Sequence, residues 1–476
     1  MSYCSRSCIS RRRFLQVAGS TAGCLMLLPL QESLVGAALT TRTPIFPKSK
    51  ARVLLVFSHM PSGNPTWPAK DYNYDAVADK LARRLYRECP GIEFTVRHAA
   101  NAEQGQALVQ EAGDIDGFVV YNIGIWTGVP NVIAHSGKPV VMVDDLFAGS
   151  GETLITNTTI RNEKLPVVTV ASSDFSDVVS AVRLFEVIRA MKDSTILDVV
   201  DYDIAPIANQ VETVYGASLI KVDSKELASY YDRASVREAT EWADMWIANA
   251  KAMREPTREE VVKSGRMYLA LCKAASDKKA DAVTVDCLGM FYSGRITAYP
   301  CLSHFQMNND GGTGVCEGDV NSTCTQLMMR YMTGRPGYVS DPVIDTSRSE
   351  IIYAHCVAHN RAFGPKGKAN PYIIRSHAED GKGASVQSLL PIGEDVTTLE
   401  FDIWSKRAVV HTGRTTRNVD EPEACRTKLA ARTNAQAILD NWDMGWHRVT
   451  VFGDWRKQVK QLARLYGFSI FEEDKA

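Results

Sequence analysis

The run RVLLVFSH, from Arg52 to His59, decides the fold. It is apolar from Val53 to Phe57 with no alternation, then breaks into the polar, Gly- and Pro-containing SHMPSGNPTWP. A strand apolar on both faces belongs in a parallel sheet covered by helices. The residues downstream repeat the theme. A helical segment around Ala76–Arg87 leads to EFTVRH (Glu93–His98), another around Glu103–Ala112 to GFVVYNIG (Gly117–Gly124), and KPVVMVDD (Lys138–Asp145) follows. Strands alternating with helices predict an α/β unit over residues 48–165. A second series starts at PVVTVAS (Pro166) and continues through TILDVVD, ASLIKVD and DAVTVDC, giving a second α/β unit over residues 166–348. From residue 349 the texture changes to short alternating strands, EIIYAHCVAH, PYIIRSH, TTLEFDIW and RAVVHTGRTT, so residues 349–476 are expected to form an antiparallel β-rich domain. Its closing segment, HRVTVFGDWRKQVKQLARLYGFSIF, again reads strand, helix, strand.

Composition removes several functions. The formal charge of −1 over 476 residues offers no electrostatic footprint for nucleic acid. No GxGxxG follows the first strand and no Walker-type loop is present, which disfavours dinucleotide and nucleotide chemistry. The N-terminus carries SRRRFLQ, Ser10 to Gln16, followed by CLMLLPL and LVGAA, the pattern of a twin-arginine export signal over residues 1–37. TAGC at Thr21–Cys24 is a weaker, lipoprotein-like alternative. The expected location is periplasmic or extracytoplasmic, without a stable membrane span. Loss of residues 1–37 removes Cys4, Cys8 and Cys24; the remaining cysteines show no CxxC spacing and read as buried small hydrophobes.

Ligands of parallel sheets bind beyond the strands' C-terminal ends. In the first unit those loops hold Trp67 and Trp126, aromatics in Gly-, Asn- and Pro-containing surroundings that suit the apolar face of a sugar ring. The richest stretch is PCLSHFQMNNDGGTGVCEGDV, Pro300 to Val320, read as a loop. Asp319 precedes an apolar stripe of Val320, Cys324, Leu327, Met328 and Tyr331 that ends at Gly334 and Pro336, and so is placed as a helix N-cap. Glu317 lies outside that helix, and with Gly318 between them the two carboxylates are able to converge. One or two carboxylates with a histidine suit a manganese- or magnesium-like ion. Asn309, in the flexible NNDGGTG, is a candidate contact for a sugar hydroxyl, and so is His355. His355 and His359 sit on a strand, where four residues span roughly 13 Å, so they do not share one ion. His447 marks a loop-to-strand junction.

CEGDV (Cys316–Val320), a helix ending in TGRP, a strand bearing AHC, and HRVTVFGD before the last helix together resemble the L-fucose isomerase-like family, which is related to arabinose isomerases. The resemblance implies two Rossmann-like α/β domains and a C-terminal β-rich, barrel-like domain. It implies a homo-oligomer, trimer or hexamer, with a divalent metal, usually manganese, and aldose–ketose interconversion through an enediol. It maps the metal-binding Asp onto Asp319 and the late His onto His447. The family's PELS-like stretch aligns with Pro300-Cys301-Leu302-Ser303, so Cys301 stands where a metal-binding Glu is expected. Glu317 is the candidate to replace it, serving with Asp319 in catalysis and with Asp319 and His447 in metal binding. Two other functions stay open: an exported glycoside hydrolase using Glu317 and Asp319 as acid and base, and a non-catalytic sugar-binding protein.

Overall fold

The computed structural model describes residues 48–63 and 66–475; the export signal read at residues 1–37 lies outside them. Strands β1 (Ala51–Ser58), β2 (Ile92–Ala99), β3 (Gly117–Asn122), β4 (Val140–Asp144) and β5 (Val167–Ala171) form a parallel sheet in the order β2-β1-β3-β4-β5. Leu55, Val56 and Phe57 of β1 are wholly buried, which is why the run shows no alternation. Strands β6 (Thr195–Val199), β7 (Ser218–Val222), β8 (Ala252–Met253), β9 (Ala282–Val285) and β10 (Gly314–Cys316) follow; four of them make a second parallel sheet, ordered β10-β9-β6-β7.

The C-terminal part contributes β11 (Gly337–Asp345), β12 (Glu350–His355), β13 (Tyr372–Arg375), β14 (Ser385–Ser388), β15 (Asp395–Asp402), β16 (Arg407–Asn418), β17 (Thr427–Arg432), β18 (Arg448–Phe452) and β19 (Ser469–Glu472). The antiparallel run β15-β18-β11-β12-β17-β16 closes on itself because β16 also pairs with β15, forming a barrel; β19 adds to β16 in parallel. Closure removes the free edges that an open sheet would expose. A small sheet, β14-β13-β8, stitches this part to the second unit, since β8 runs parallel to β13. The fold is therefore α/β, with two parallel sheets and a β-rich barrel.

Three local readings change. Strand β5, expected to open the second series, is the last strand of the first sheet, and β11, expected before the β-rich domain, lies in the barrel. A strand's own pattern reports burial and not which sheet supplies its partners, so both boundaries shift. The stretch from Pro300, read as a loop, contains an α-helix from Cys301 to Asn309. That helix is buried on nearly every side, so it has no amphipathic stripe to betray it. Among the described residues no helix is long and apolar enough to cross a membrane.

Candidate metal centre and active site

The second sheet's C-terminal edge carries the two carboxylates singled out in the sequence. β10 ends at Cys316, and the chain then adopts two successive left-handed residues, Glu317 (φ 68°) and Gly318 (φ 64°). A side chain on Gly318 would begin 3.1 Å from the Tyr202 hydroxyl and 3.2 Å from Val200, a tight fit at a left-handed φ that itself favours glycine. Glu317 has no such freedom, and its left-handed φ is strain of the kind found at functional sites. This kink brings the two carboxylates of the EGD triplet to the same histidine.

Asp319 is the N-cap of the Val320–Thr333 helix, its Oδ1 accepting the Ser322 N–H at 3.0 Å. Capping is only half of its role. Oδ2 accepts from the Ser322 hydroxyl at 2.6 Å and lies 2.7 Å from His447 Nδ1. The other ring nitrogen of His447, Nε2, faces Glu317 Oε2 at 3.4 Å and Asp341 Oδ1 at 3.2 Å. His355, the last residue of β12 and buried, points Nε2 at Glu317 Oε1, 3.5 Å away, and that nitrogen makes no hydrogen bond. Glu317, His355 and His447 each offer a ligand atom within 4.8 Å of the others.

Electrostatics follow from this packing. Burial opposes charge on His447, but the carboxylates of Asp319, Asp341 and Glu317 overcome it and raise the imidazole to about 12. Burial likewise opposes charge on Glu317, and His355 and His447 outweigh it, lowering the carboxyl to about 2. Glu400, buried beside Ser322 and repelled by Asp319, is pushed well above the usual carboxylate range. Tyr202 is raised to about 12, first by burial and then by Asp198, Asp286 and Asp319.

Of the residues singled out in the sequence, Glu317, Asp319, His355 and His447 converge. Trp67 does not join them: it belongs to the loop after β1, where its Nε1–H donates to the Ala148 carbonyl. Asn309 is buried, and its Oδ1 accepts the backbone N–H groups of Asn360 and Arg361, so that oxygen anchors a loop. Cys301 lies fully buried at the start of its helix, against Cys356 and Ser385. Asp341 was not anticipated; on β11 it is paired opposite Ala354, a cross-strand neighbourhood that no local pattern announces. The thiols of Cys316 and Cys356 adjoin the cluster as well.

No family model matches the chain. The chain is similar to the sulfoquinovose isomerases of Priestia aryabhattai and Priestia megaterium, at 22% identity over 305 residues in each case. The match covers 60% of this chain and 65% of the relatives' length, and it makes the chain a distant relative of sulfoquinovose isomerases.

Proposed function

We propose that the chain is a metal-dependent sugar isomerase that interconverts an aldose and its ketose through an enediol. The observation that carries this reading is the spacing of 3.2–3.5 Å between His447 and Asp341, His447 and Glu317, and His355 and Glu317. These separations are long for hydrogen bonds. Bonds of ~2.1 Å to one ion set neighbouring ligand atoms about 3.0 Å apart in an octahedron and about 3.4 Å apart in a tetrahedron. The unpartnered Nε2 of buried His355 fits the same picture. Carboxylates and imidazoles together suit manganese, the ion to test first.

Glu317, His447, His355 and Asp341 would hold the ion. A divalent ion there supplies charge stabilisation for an oxygen of the enediol. Glu317, kept ionised by its histidines, is the group proposed to move the proton between the two sugar carbons. Asp319 acts differently from the expectation: it fixes the His447 ring through Nδ1 and leaves Nε2 to face the cluster, a carboxylate–histidine relay of the kind that orients metal ligands. Because both Asp319 oxygens are engaged, the glycosidase alternative lacks a free second carboxyl at that position. An exported homo-oligomer acting on a small carbohydrate completes the proposal. Sulfoquinovose, L-fucose and L-arabinose are the sugars to screen.

The test is isomerisation followed by NMR in deuterated water with manganese-loaded protein, beside Glu317→Gln and His447→Ala. Turnover with deuterium appearing at the sugar's second carbon, lost in both variants, is expected. Stoichiometric metal without exchange in any of these sugars would overturn the enediol chemistry.

A further inference from the structure

Behind the carboxylates lies a second donor set of different chemistry. Cys316 immediately precedes Glu317 and Cys356 immediately follows His355, and both thiols are buried. Their sulfur atoms and a ring nitrogen of His355 lie within 4.8 Å of one another. His355 Nδ1 is 3.8 Å from the Cys356 sulfur, while its Nε2 faces Glu317 on the opposite side of the ring. Cys301 and Cys425 lie near enough to Cys356 to influence its ionisation, and all four cysteines are free thiols.

Packing alone accounts for single buried cysteines, which behave as small hydrophobes. It does not account for four thiols gathered around one another and an imidazole, contributed by a helix start, a strand end, the turn after β12 and the loop before β17. Bonds of ~2.3 Å to sulfur and ~2.0 Å to nitrogen on a tetrahedral zinc put neighbouring ligand atoms about 3.5–3.8 Å apart. The Cys356–His355 separation of 3.8 Å is within about 0.3 Å of the sulfur-to-nitrogen value, the short end of that range. Thiolates select a softer ion than the carboxylates on the other face of the ring.

We propose that Cys316, Cys356 and Nδ1 of His355, completed by Cys301 or Cys425, form a second metal site for a thiophilic, zinc-like ion. Binding displaces the thiol protons of the coordinating cysteines to solvent, and with the first ion also on Nε2 the His355 ring proton leaves as well, so that an imidazolate joins the two sites. The assignment does not rest on the isomerase reading, because it is tested without sugar.

Cobalt(II) titrated into metal-free wild-type protein is the first probe. Near-ultraviolet thiolate-to-cobalt charge transfer is expected, bleached by excess zinc, retained in Glu317→Gln, and lost in Cys316→Ser and Cys356→Ser. Cys272→Ser, a buried thiol outside the group, keeps the band. Should the serine variants fail to fold, X-ray absorption on zinc-loaded wild type decides: sulfur scatterers at ~2.3 Å support the site. Absence of charge transfer in wild type, or a zinc shell of nitrogen and oxygen alone, overturns it.

Discussion

Two polar clusters, one buried and one half-buried, meet at neighbouring residues of the chain, and they are built in opposite ways. In the barrel, Arg448 Nη2 donates to Glu473 Oε1 at 2.6 Å, Glu473 Oε2 meets His411 Nδ1 at 2.8 Å, and His411 Nε2 meets the Tyr353 hydroxyl at 3.0 Å. Arg448 also donates to the His447 carbonyl at 2.8 Å. Longer contacts from Arg448 Nε to Glu473, at 3.3 and 3.5 Å, add to these, and no side chain of the network lacks a partner, so the network is closed. The Glu317 cluster holds comparable charges at 3.2–3.5 Å, with one imidazole nitrogen unpartnered. A buried network that satisfies itself supports a structure; one that stops short leaves room for another atom. The two meet at consecutive residues, since Arg448 of the closed network grips the loop that presents His447.

The largest effect is expected from breaking the closed network. Glu473→Ala strands a fully buried guanidinium and is predicted to cost about 3–5 kcal/mol of stability in urea unfolding. A loss below about 1 kcal/mol would mean that the network is not the barrel's anchor.

A pH-dependent contrast comes next. Asp198 on β6 is wholly buried, neither carboxylate oxygen has a hydrogen-bond partner, and burial with nearby Asp286 raises its pKa to about 7. Between its unfolded value near 3.8 and that folded value, the native state holds a proton that the unfolded chain has released. Stability therefore falls as pH rises through this window and levels off above it. Asp198→Asn is predicted to flatten that slope and to stabilise the protein at pH 8 by up to ~4 kcal/mol, with little change at pH 4. Parallel pH profiles for the two proteins would refute it.

Asp319→Asn separates capping from ring orientation, because asparagine caps as well as aspartate. Metal affinity measured by competition should drop ~10–100-fold while helix stability holds; unchanged affinity would leave Asp319 a cap alone. The smallest stability change belongs to Glu317→Gln. In the metal-free protein it should cost about 1–2 kcal/mol, because the histidines that hold its carboxyl down act at 3.4–3.5 Å and are partly screened by solvent. A cost comparable to that of Glu473→Ala would show that the open cluster is structural after all.

What the sequence disclosed and what it hid follow from the range of each signal. Burial on both faces is written in each strand, so the parallel sheets were legible from runs such as Val53–Phe57. Sheet membership is not local, which is why β5 and β11 moved. Asp319 announced itself through the apolar stripe after it, and Glu317 through its nearness to that cap. Their convergence depends on a left-handed backbone at Glu317 that composition does not encode. His447 was reached through resemblance; Asp341 and the group of thiols arise from cross-strand and inter-element contacts and left no periodic trace. Trp67 and Asn309 carry suitable chemistry in polar, glycine-containing stretches, but the structure gives both other partners.

The position of Glu473 also sets an order of events. During synthesis Glu317 emerges first, then Asp341, His355 and His447, and the carboxylate that grips Arg448 emerges 25 residues after the arginine itself. The loop bearing His447 is therefore tethered only once the segment carrying Glu473 has folded against the barrel. On the proposed reading, the metal centre assembles late, with completion of the barrel and not with formation of the two α/β sheets that precede it.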